Sequence, residues 1–492
     1  VKLLDKFLAK RGYVKRTAGR GYSGAQAGRL YADWVLGYKD DHNEDIKGNL
    51  DVLRRRAVDL FDNNDWVKKF VKLCDRNIVG HEGMILQPQA KDTDGELDTM
   101  ANKKIASAFW DWGRRKKYAS VTRKQTFLDI QHLAIKTAAR EGEALVRMVS
   151  GFDNPYRFAL QMIPPALLPV MLNKPDMPGG HKVVMGVEYD EWDAPFMYYV
   201  KQKTGAKDAA VIDGNYYLKI PANEIVHLYI QEYINQARGV PWLHTAMHRL
   251  KMLDGYEDAE LVAARIAACQ MGLIKTETGD EFTGNDTDAL GNTIIEAEPG
   301  TFPELPAGQS MDMFKPEHPT TQFPTFVKML MLAIASGGDV AYSSMTGDLE
   351  KVNYSSIRAG LLDERDAWKV LQQWFATHFC DDIFEAWLKM ALLTRKLELP
   401  AEKFEKFNDV YWQGRGWDWV DPLKDIQAII KAINSGLTSW TKEANKRGMD
   451  VEELFEEIAN DRKLAEKFGL VFNMDGEAVP VAANGEETQN EE

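Results

Sequence analysis

FPTFVKMLMLAIASGGDVAYSSMTGDLEKVNYSSIRAG, residues 323–360, is the stretch on which the architecture turns. Residues 323–336 are apolar on nearly every side of a helix, so this short helix is expected to be buried on most faces. A polar, Gly-rich loop follows over 337–354. Connections that long are uncommon inside a compact domain and usually carry function or stay mobile. Ser355 or Ser356 is the expected cap of a long helix, in which Ile357, Leu361, Trp368, Leu371, Phe375, Phe379, Ile383 and Trp387 recur at helical spacing. Gly337, Gly338 and Gly347 read as hinges, because glycine reaches positive φ without penalty.

Upstream lies an acidic, turn-rich insert, 273–320, in which TIIEAE and MDMF read as short strands. It interrupts two helical stretches. The one before it, from VPWL at 240–243 to GLI at 272–274, forms one helix or two with a break at Asp254-Gly255. Its second half carries Ala259, Ala263, Ala264, Ala267 and Ala268, small enough to admit a close neighbour and also good helix formers. Before it, EALVRMVS, FALQMIPP, KVVMGVEYD, PFMYYVKQ, YYLKIP and IVHLYI read as strands of an antiparallel sheet over roughly 143–230. Residues 49–80, 97–117 and 124–142 read as helices, with DNND at 62–65 interrupting the first run and the second ending in the basic cluster RRKK. Residues 421–468 give two or three more helices, started by Asp421-Pro422 and broken at Ser435-Gly436.

The 492-residue chain is long enough for two to four domains, and its net charge of −13 is not the composition of a protein that grips DNA phosphates. It suits a surface that nucleic acid must pass without sticking. Charge is uneven: residues 1–20 hold seven Lys/Arg and one acid, while the tail from Asp475 is acidic and expected to be disordered. Cys74, Cys269 and Cys380 are far apart, which argues for a reducing compartment and against a disulfide framework or a zinc cluster. No apolar run has bilayer length, and the N-terminal residues lack a secretory pattern.

Catalytic motifs are absent. GRGYSG at 19–24 matches GxGxxG, but no strand precedes it, and Ala25 stands where a nucleophile elbow would need glycine. DDHNEDIKGNLD lacks the glycine and closing glutamate of a calcium loop. The nine histidines are dispersed, and His227 and His248 read as structural. No catalytic residue, cofactor or metal is expected. An intracellular hydrolase using a serine of the 342–356 loop is the alternative.

An ordered set of motifs resembles the portal proteins of tailed bacteriophages, specifically the lambda-like portal family. The set comprises LRRRAVDLFDNNDWVKKFV, NIVGHEGMILQ, GVEYDEWDAPFMYYV, IVHLYIQEYINQARGVPWL, LDGYEDAELVAARIAACQMG, EPGTFPELPAGQSMDMFKPEHPTTQF, MTGDLEKVNYSSIRAGLLDERDAW and WVDPLKDIQAI. One departure is GGDVA at 337–341, where the family often has a GVP-like stretch. The resemblance implies an α+β, ring-forming portal fold: a strand-rich wing, a helical stem, a small clip insert and a helical C-terminal crown. Laid on this chain, it gives a basic arm (1–48), wing (49–240), stem helix (241–271), clip (272–320), second stem helix (321–336) and tunnel loop (337–354). A long helix returning to the wing (355–420), a crown-like helical region (421–475) and a disordered acidic tail (476–492) follow.

What the resemblance implies about function is a ring, usually of twelve copies, at one capsid vertex of the virion, assembled in the host cytoplasm. It conducts double-stranded DNA without sequence preference. The terminase large subunit, a head-tail adaptor, the major capsid protein and the scaffold are its implied partners, with no membrane. On that basis Tyr342, Ser343, Ser344, Met345, Thr346, Asp348, Glu350, Lys351 and Arg358 are the candidate channel residues. Tyr342, Met345 and Leu349 are expected to reach DNA or a neighbouring subunit, and the polar residues to keep the loop solvated. Asp280, Glu281, Asp286, Asp288, Glu296 and Glu298 are the candidate docking residues of the clip.

Overall fold

Asn64 divides the first helical run into two. Its side chain accepts from the Val67 backbone N–H, ending helix α1 (Asn43–Asn63) and capping α2 (Asp65–Ile78) as the DNND signal predicted. The computed structural model describes residues 41–202, 209–212, 214–268, 272–276, 286–287, 293–294, 309–313, 322–350, 354–417, 422–445, 451–468, 470–472 and 478–480. The chain divides into residues 1–45, of which 41–45 are described, and a body of residues 46–492. Strand β1 (Ile85–Pro88) leads to α3 (Thr99–Gly113), the single turn α4 (Lys116–Ala119) and α5 (Phe127–Glu141). A capping box of Thr126 and Asp129 starts α5.

The expected single sheet over 143–230 is two sheets. Strands β2 (Glu143–Ser150), β3 (Phe158–Ile163) and β9 (Ile225–Tyr229) form a three-stranded sheet in the order β3-β2-β9. Strands β4 (Lys182–Val184), β5 (Val187–Tyr189), β6 (Pro195–Lys201), β7 (Ala209–Ile212) and β8 (Asn215–Pro221) form another in the order β4-β5-β6-β8-β7. The reason lies in the connection after β3: Pro164, Pro165, Pro169, Pro175 and Pro178 cannot donate to a ladder, so pairing stops there. KVVMGVEYD, read as one strand, is a hairpin that turns at Met185 and Gly186, both at positive φ.

Helix α6 (Met247–Ala268) runs unbroken through Gly255, which resolves the alternative left by the sequence. Strand pairs β10 (Gly272–Thr276) with β13 (Gln309–Met313), and β11 (Asp286–Thr287) with β12 (Thr293–Ile294), carry the insert, matching the MDMF and TIIEAE readings. Helix α7 (Phe323–Gly337), a short α8 (Tyr342–Thr346) and α9 (Tyr354–Phe375) follow. Ser355 and Ser356 therefore lie inside α9 rather than at its cap. A π-helical turn at Ala376–Cys380 joins α9 to α10 (Asp381–Leu393). The expected continuous segment to 420 ends at Leu393; past it come α11 (Phe404–Phe407) and β14 (Val410–Gln413), a strand that periodicity missed. It pairs antiparallel with β1, and Gln87 and Gln413 bond through their side chains within that ladder. Helices α12 (Pro422–Asn434), α13 (Trp440–Asn445) and α14 (Val451–Lys467) match the C-terminal reading, with Gly436 at φ 72° between the first two. Leu470–Phe472 pairs with Ala478–Pro480, so the tail expected to be disordered from 476 has a paired strand at its start. The remaining tail lies outside the described residues.

Two features hold the body. Phe109, Trp112, Phe127, Phe158, Phe384, Trp387 and Trp412 meet with ring centroids 5.0–6.4 Å apart, in mostly edge-on and tilted contacts. The Trp112 indole N–H donates to the Phe158 carbonyl at 3.1 Å. At the start of β2, Glu143 is fully buried and gathers two cations, Arg238 and Arg54, and the His227 imidazole. Arg238 donates to it at 2.5–3.0 Å, Arg54 lies at 2.5 Å and His227 Nε2 at 3.0 Å. Those cations hold the Glu143 carboxyl well below its usual range against the opposing effect of burial, whereas burial pushes the His227 imidazole down. The backbones here touch: a Cβ on Gly142, at φ 93°, would sit 2.3 Å from the Val240 carbonyl carbon, and one on Gly239 2.1 Å from the Gly142 oxygen. Glycine at both positions is therefore a steric requirement.

Candidate channel segment and stem

The segment between α7 and α9 is anchored rather than loose. Gly338 ends α7, donating to Ile334 and Ala335, and approaches so closely that a Cβ there would meet the Phe70 ring at 2.9 Å. Asp339 takes φ 51°, and the chain re-enters the core at Val340 and Met345. Helix α8 packs on α2 and α7. Met345 is 1% exposed, so its side chain is part of the core rather than the surface expected to meet DNA. The expectation of a wholly solvated loop fails for a simple reason: an apolar residue at the right turn of a short helix finds the Phe70 core within reach.

A polar network continues from there. Ser344 Oγ donates to Glu364 at 2.5 Å, and the Trp368 indole N–H donates to the same carboxylate at 3.2 Å. Thr346 Oγ1 donates to the Tyr342 carbonyl at 2.8 Å. Asp348 accepts from Glu350 N–H at 3.0 Å, from Lys328 Nζ at 3.2 Å and from the Tyr342 hydroxyl at 3.1 Å. Those donors hold the Asp348 carboxyl below its usual range, the Glu350 N–H foremost, while burial and Asp348 raise the Tyr342 hydroxyl. Gly347 follows at φ 78°, where the hinge reading put it, and Leu349 is 61% exposed. Lys351 lies outside the described residues. Arg358 Nη2 donates to Asp425 at 2.8 Å, tying α9 to α12. Of the candidate set, Tyr342, Ser343, Ser344, Thr346, Asp348 and Glu350 thus share one anchored turn, Met345 lies beneath it, and Arg358 belongs to a helix–helix tie.

Sequence reasoning missed Lys328, Glu364 and Asp425. Lys328 was the findable one: it is the sole cation in the apolar helix 323–336, and such a charge needs a partner. Helix α7 also departs from its expected burial. Met331, Ile334 and Ala335 are buried, but Phe326, Met329 and Leu332 are 51%, 62% and 41% exposed. On the adjoining α6, Ala259, Leu261 and Val262 are exposed, and Tyr256 packs on Phe323 and Phe326 at 5.4 and 5.5 Å. The α6–α7 pair is apolar on two sides, and the described residues cover one. In the insert, the backbone of Asp286 lies in β11; Asp280, Glu281, Asp288, Glu296 and Glu298 lie outside the described residues.

Residues 27–372 match the family described as phage portal protein, lambda family. A probable portal protein of Halomonas phage phiHAP-1 is 31% identical over 461 residues, 92% of this chain and 88% of that protein. Portal protein B of Escherichia phage lambda is 23% identical, covering 81% of each chain. A chain from the neck of a native gene transfer agent particle computed with C12 symmetry is 12% identical, over 86% of this chain and 98% of that one, with a TM-score of 0.42. The chain belongs to the lambda family of phage portal proteins.

Proposed function

We propose that this chain is the subunit of a closed ring, of twelve copies by the family pattern, at a capsid vertex of a tailed phage. DNA enters and leaves through its channel, and its role is structural rather than catalytic. One observation carries the ring: the uncovered apolar face of Phe326, Met329 and Leu332, beside the exposed small and aliphatic residues of α6, is what a heterologous contact between neighbouring copies would bury. The turn of residues 342–350 supplies the narrow part of the channel, with Leu349 and Glu350 beyond the Asp348 anchor. Contact there goes to phosphates and is weak and salt-dependent. The acidic 272–320 insert docks the terminase large subunit and, at another stage, a head-tail adaptor; the wing meets capsid protein and scaffold. The hydrolase alternative loses ground because Ser344 donates to Glu364 and not to a histidine. No helix among the described residues is long and apolar enough to cross a membrane.

Native mass spectrometry tests the ring: a mass of several hundred kilodaltons built from 55.7 kDa chains is expected, and a monodisperse monomer or dimer would overturn it. A photo-crosslinking side chain at position 349 tests the channel. It should label DNA in complexes stalled during packaging, and label at position 345 instead would contradict the anchored turn.

A further inference from the structure

The basic cluster at the end of α3 belongs to none of these roles. Residues 114–124 hold six Lys/Arg and no acid, in a chain of net charge −13. The structure sets this segment, through Tyr118 and Arg123, against the β2–β3 hairpin that carries Arg157. Tyr118 accepts from Asn154 at its carbonyl and packs on Tyr156, 6.2 Å between centroids, and Arg123 lies 5.8 Å from the Phe152 ring. Arg115 is paired with Asp111. Arg114, Lys116, Lys117, Arg123, Lys124 and Arg157 are all exposed and make no ion pair among the described residues.

Aromatic faces take the place of carboxylates here. Arg114 stacks over Trp110 at 5.5 Å and Lys117 over Tyr118 at 5.1 Å. Such contacts orient a cation without neutralising it, so its N–H donors stay available and less side-chain freedom is lost when an anion arrives. Arg123 and Arg157 also hold φ at 60° and 52°, a region that glycine or asparagine occupies at less cost. A solvated charge run at a helix C-terminus explains Arg114 and Arg115 through the helix dipole. It does not explain Arg123, Lys124 and Arg157, which come from two other loops.

We infer that this face binds the phosphates of double-stranded DNA, at a site separate from the 342–350 turn; the choice of DNA rests on the portal reading above. No large hydrophobic residue between 101 and 170 is exposed. A protein partner or a membrane would ask for an apolar centre, which this face lacks. A groove of about 670 Å³ beside Arg114 leads toward α14, but two acids line it, Asp111 paired with Arg115 and Glu456 paired with Lys103, so Arg114 is its cation without an ion pair among the described residues.

The test uses full-length protein whose ring mass has been measured first, so that failure of the ring is seen separately. The probe is a covalently closed circular duplex, which cannot thread a closed ring. Binding to the circle is expected, weakening about 10²-fold or more between roughly 50 and 200 mM salt if four or five phosphates are neutralised. The variant Arg114→Glu, Lys117→Glu, Lys124→Glu should lose most of that affinity and salt dependence with its ring mass unchanged. Should it misfold, Lys116→Gln, Lys117→Gln, Lys124→Gln should give a smaller loss in the same direction. Absence of binding, unchanged binding by the folded variant, or binding only to linear duplex would overturn the inference. So would saturation of this face by poly-glutamate that duplex DNA does not displace.

Discussion

The body around Phe109 and the stem around Phe326 use the same kind of side chain to opposite ends. Phe109 is fully buried by rings from its own chain, at centroid distances of 5.0–5.7 Å to Phe127, Trp387 and Trp412. Phe326 touches Tyr256 and otherwise faces outward, half exposed. One region is complete among the described residues of a single copy, and the other leaves an apolar face that the proposed ring would bury. Stability of the subunit and stability of the assembly should therefore respond to different residues.

The largest expected effect is in the body. Arg238→Ala removes the main partner of a fully buried carboxylate, and breaking such a pair costs about 3–5 kcal/mol. The urea midpoint of the subunit should fall accordingly; a loss below about 1 kcal/mol would mean that Arg54 and His227 suffice. In the stem, Phe326→Asp with Met329→Ser should leave subunit unfolding within about 0.5 kcal/mol of wild type, as exposed positions do. The same variant should abolish the ring in native mass spectra. If both measurements moved together, the two regions would not be separable.

A smaller effect depends on pH. His227 has its folded pKa lowered, so below about 6.5 the unfolded chain takes up a proton that the folded chain resists. Stability should fall as pH drops through that range, by at most about 1.4 kcal/mol per pH unit. His227→Gln, which keeps a donor to Glu143, should flatten this limb. The Glu143 contribution is a separate one: its pKa is depressed, so it is full above the unfolded carboxylate value, shrinks progressively as pH falls below that value, and is gone once pH passes below the folded one. The smallest effect is expected at the 342–350 turn. Lys328→Met breaks a half-exposed pair with Asp348 and should cost no more than about 1 kcal/mol. A loss above 2 kcal/mol (roughly) would show the turn to be a structural lock.

What the sequence revealed follows the same division. Helices α2, α5 and α9 were legible because apolar residues such as Phe70, Ile130 and Trp368 recur at helical spacing over several turns. Asn64, within DNND, was a readable cap, since a cap is local chemistry. The partition of the strands into two sheets was not legible, because pairing partners are set by tertiary contact and not by alternation. Strand β14 was missed for a related reason: its partner, β1, lies at the far end of the chain. At the candidate channel, a glycine turn at Gly347 was visible, but the burial of Met345 follows the packing of α8 on α2 and α7, which no local pattern announces.

The ladder between β1 and β14 also sets an order of events during synthesis. Gln87 and Gln413 are separated by 326 positions, and the whole stem and insert lie between them. At about 5–20 residues per second, the ribosome needs on the order of 16–65 s after making β1 to deliver its partner. For that interval Ile85–Pro88 is an unpaired edge available to any other strand, including one from a neighbouring nascent chain. Chains that stop before residue 410 would keep that edge open permanently. They should be recovered as aggregates.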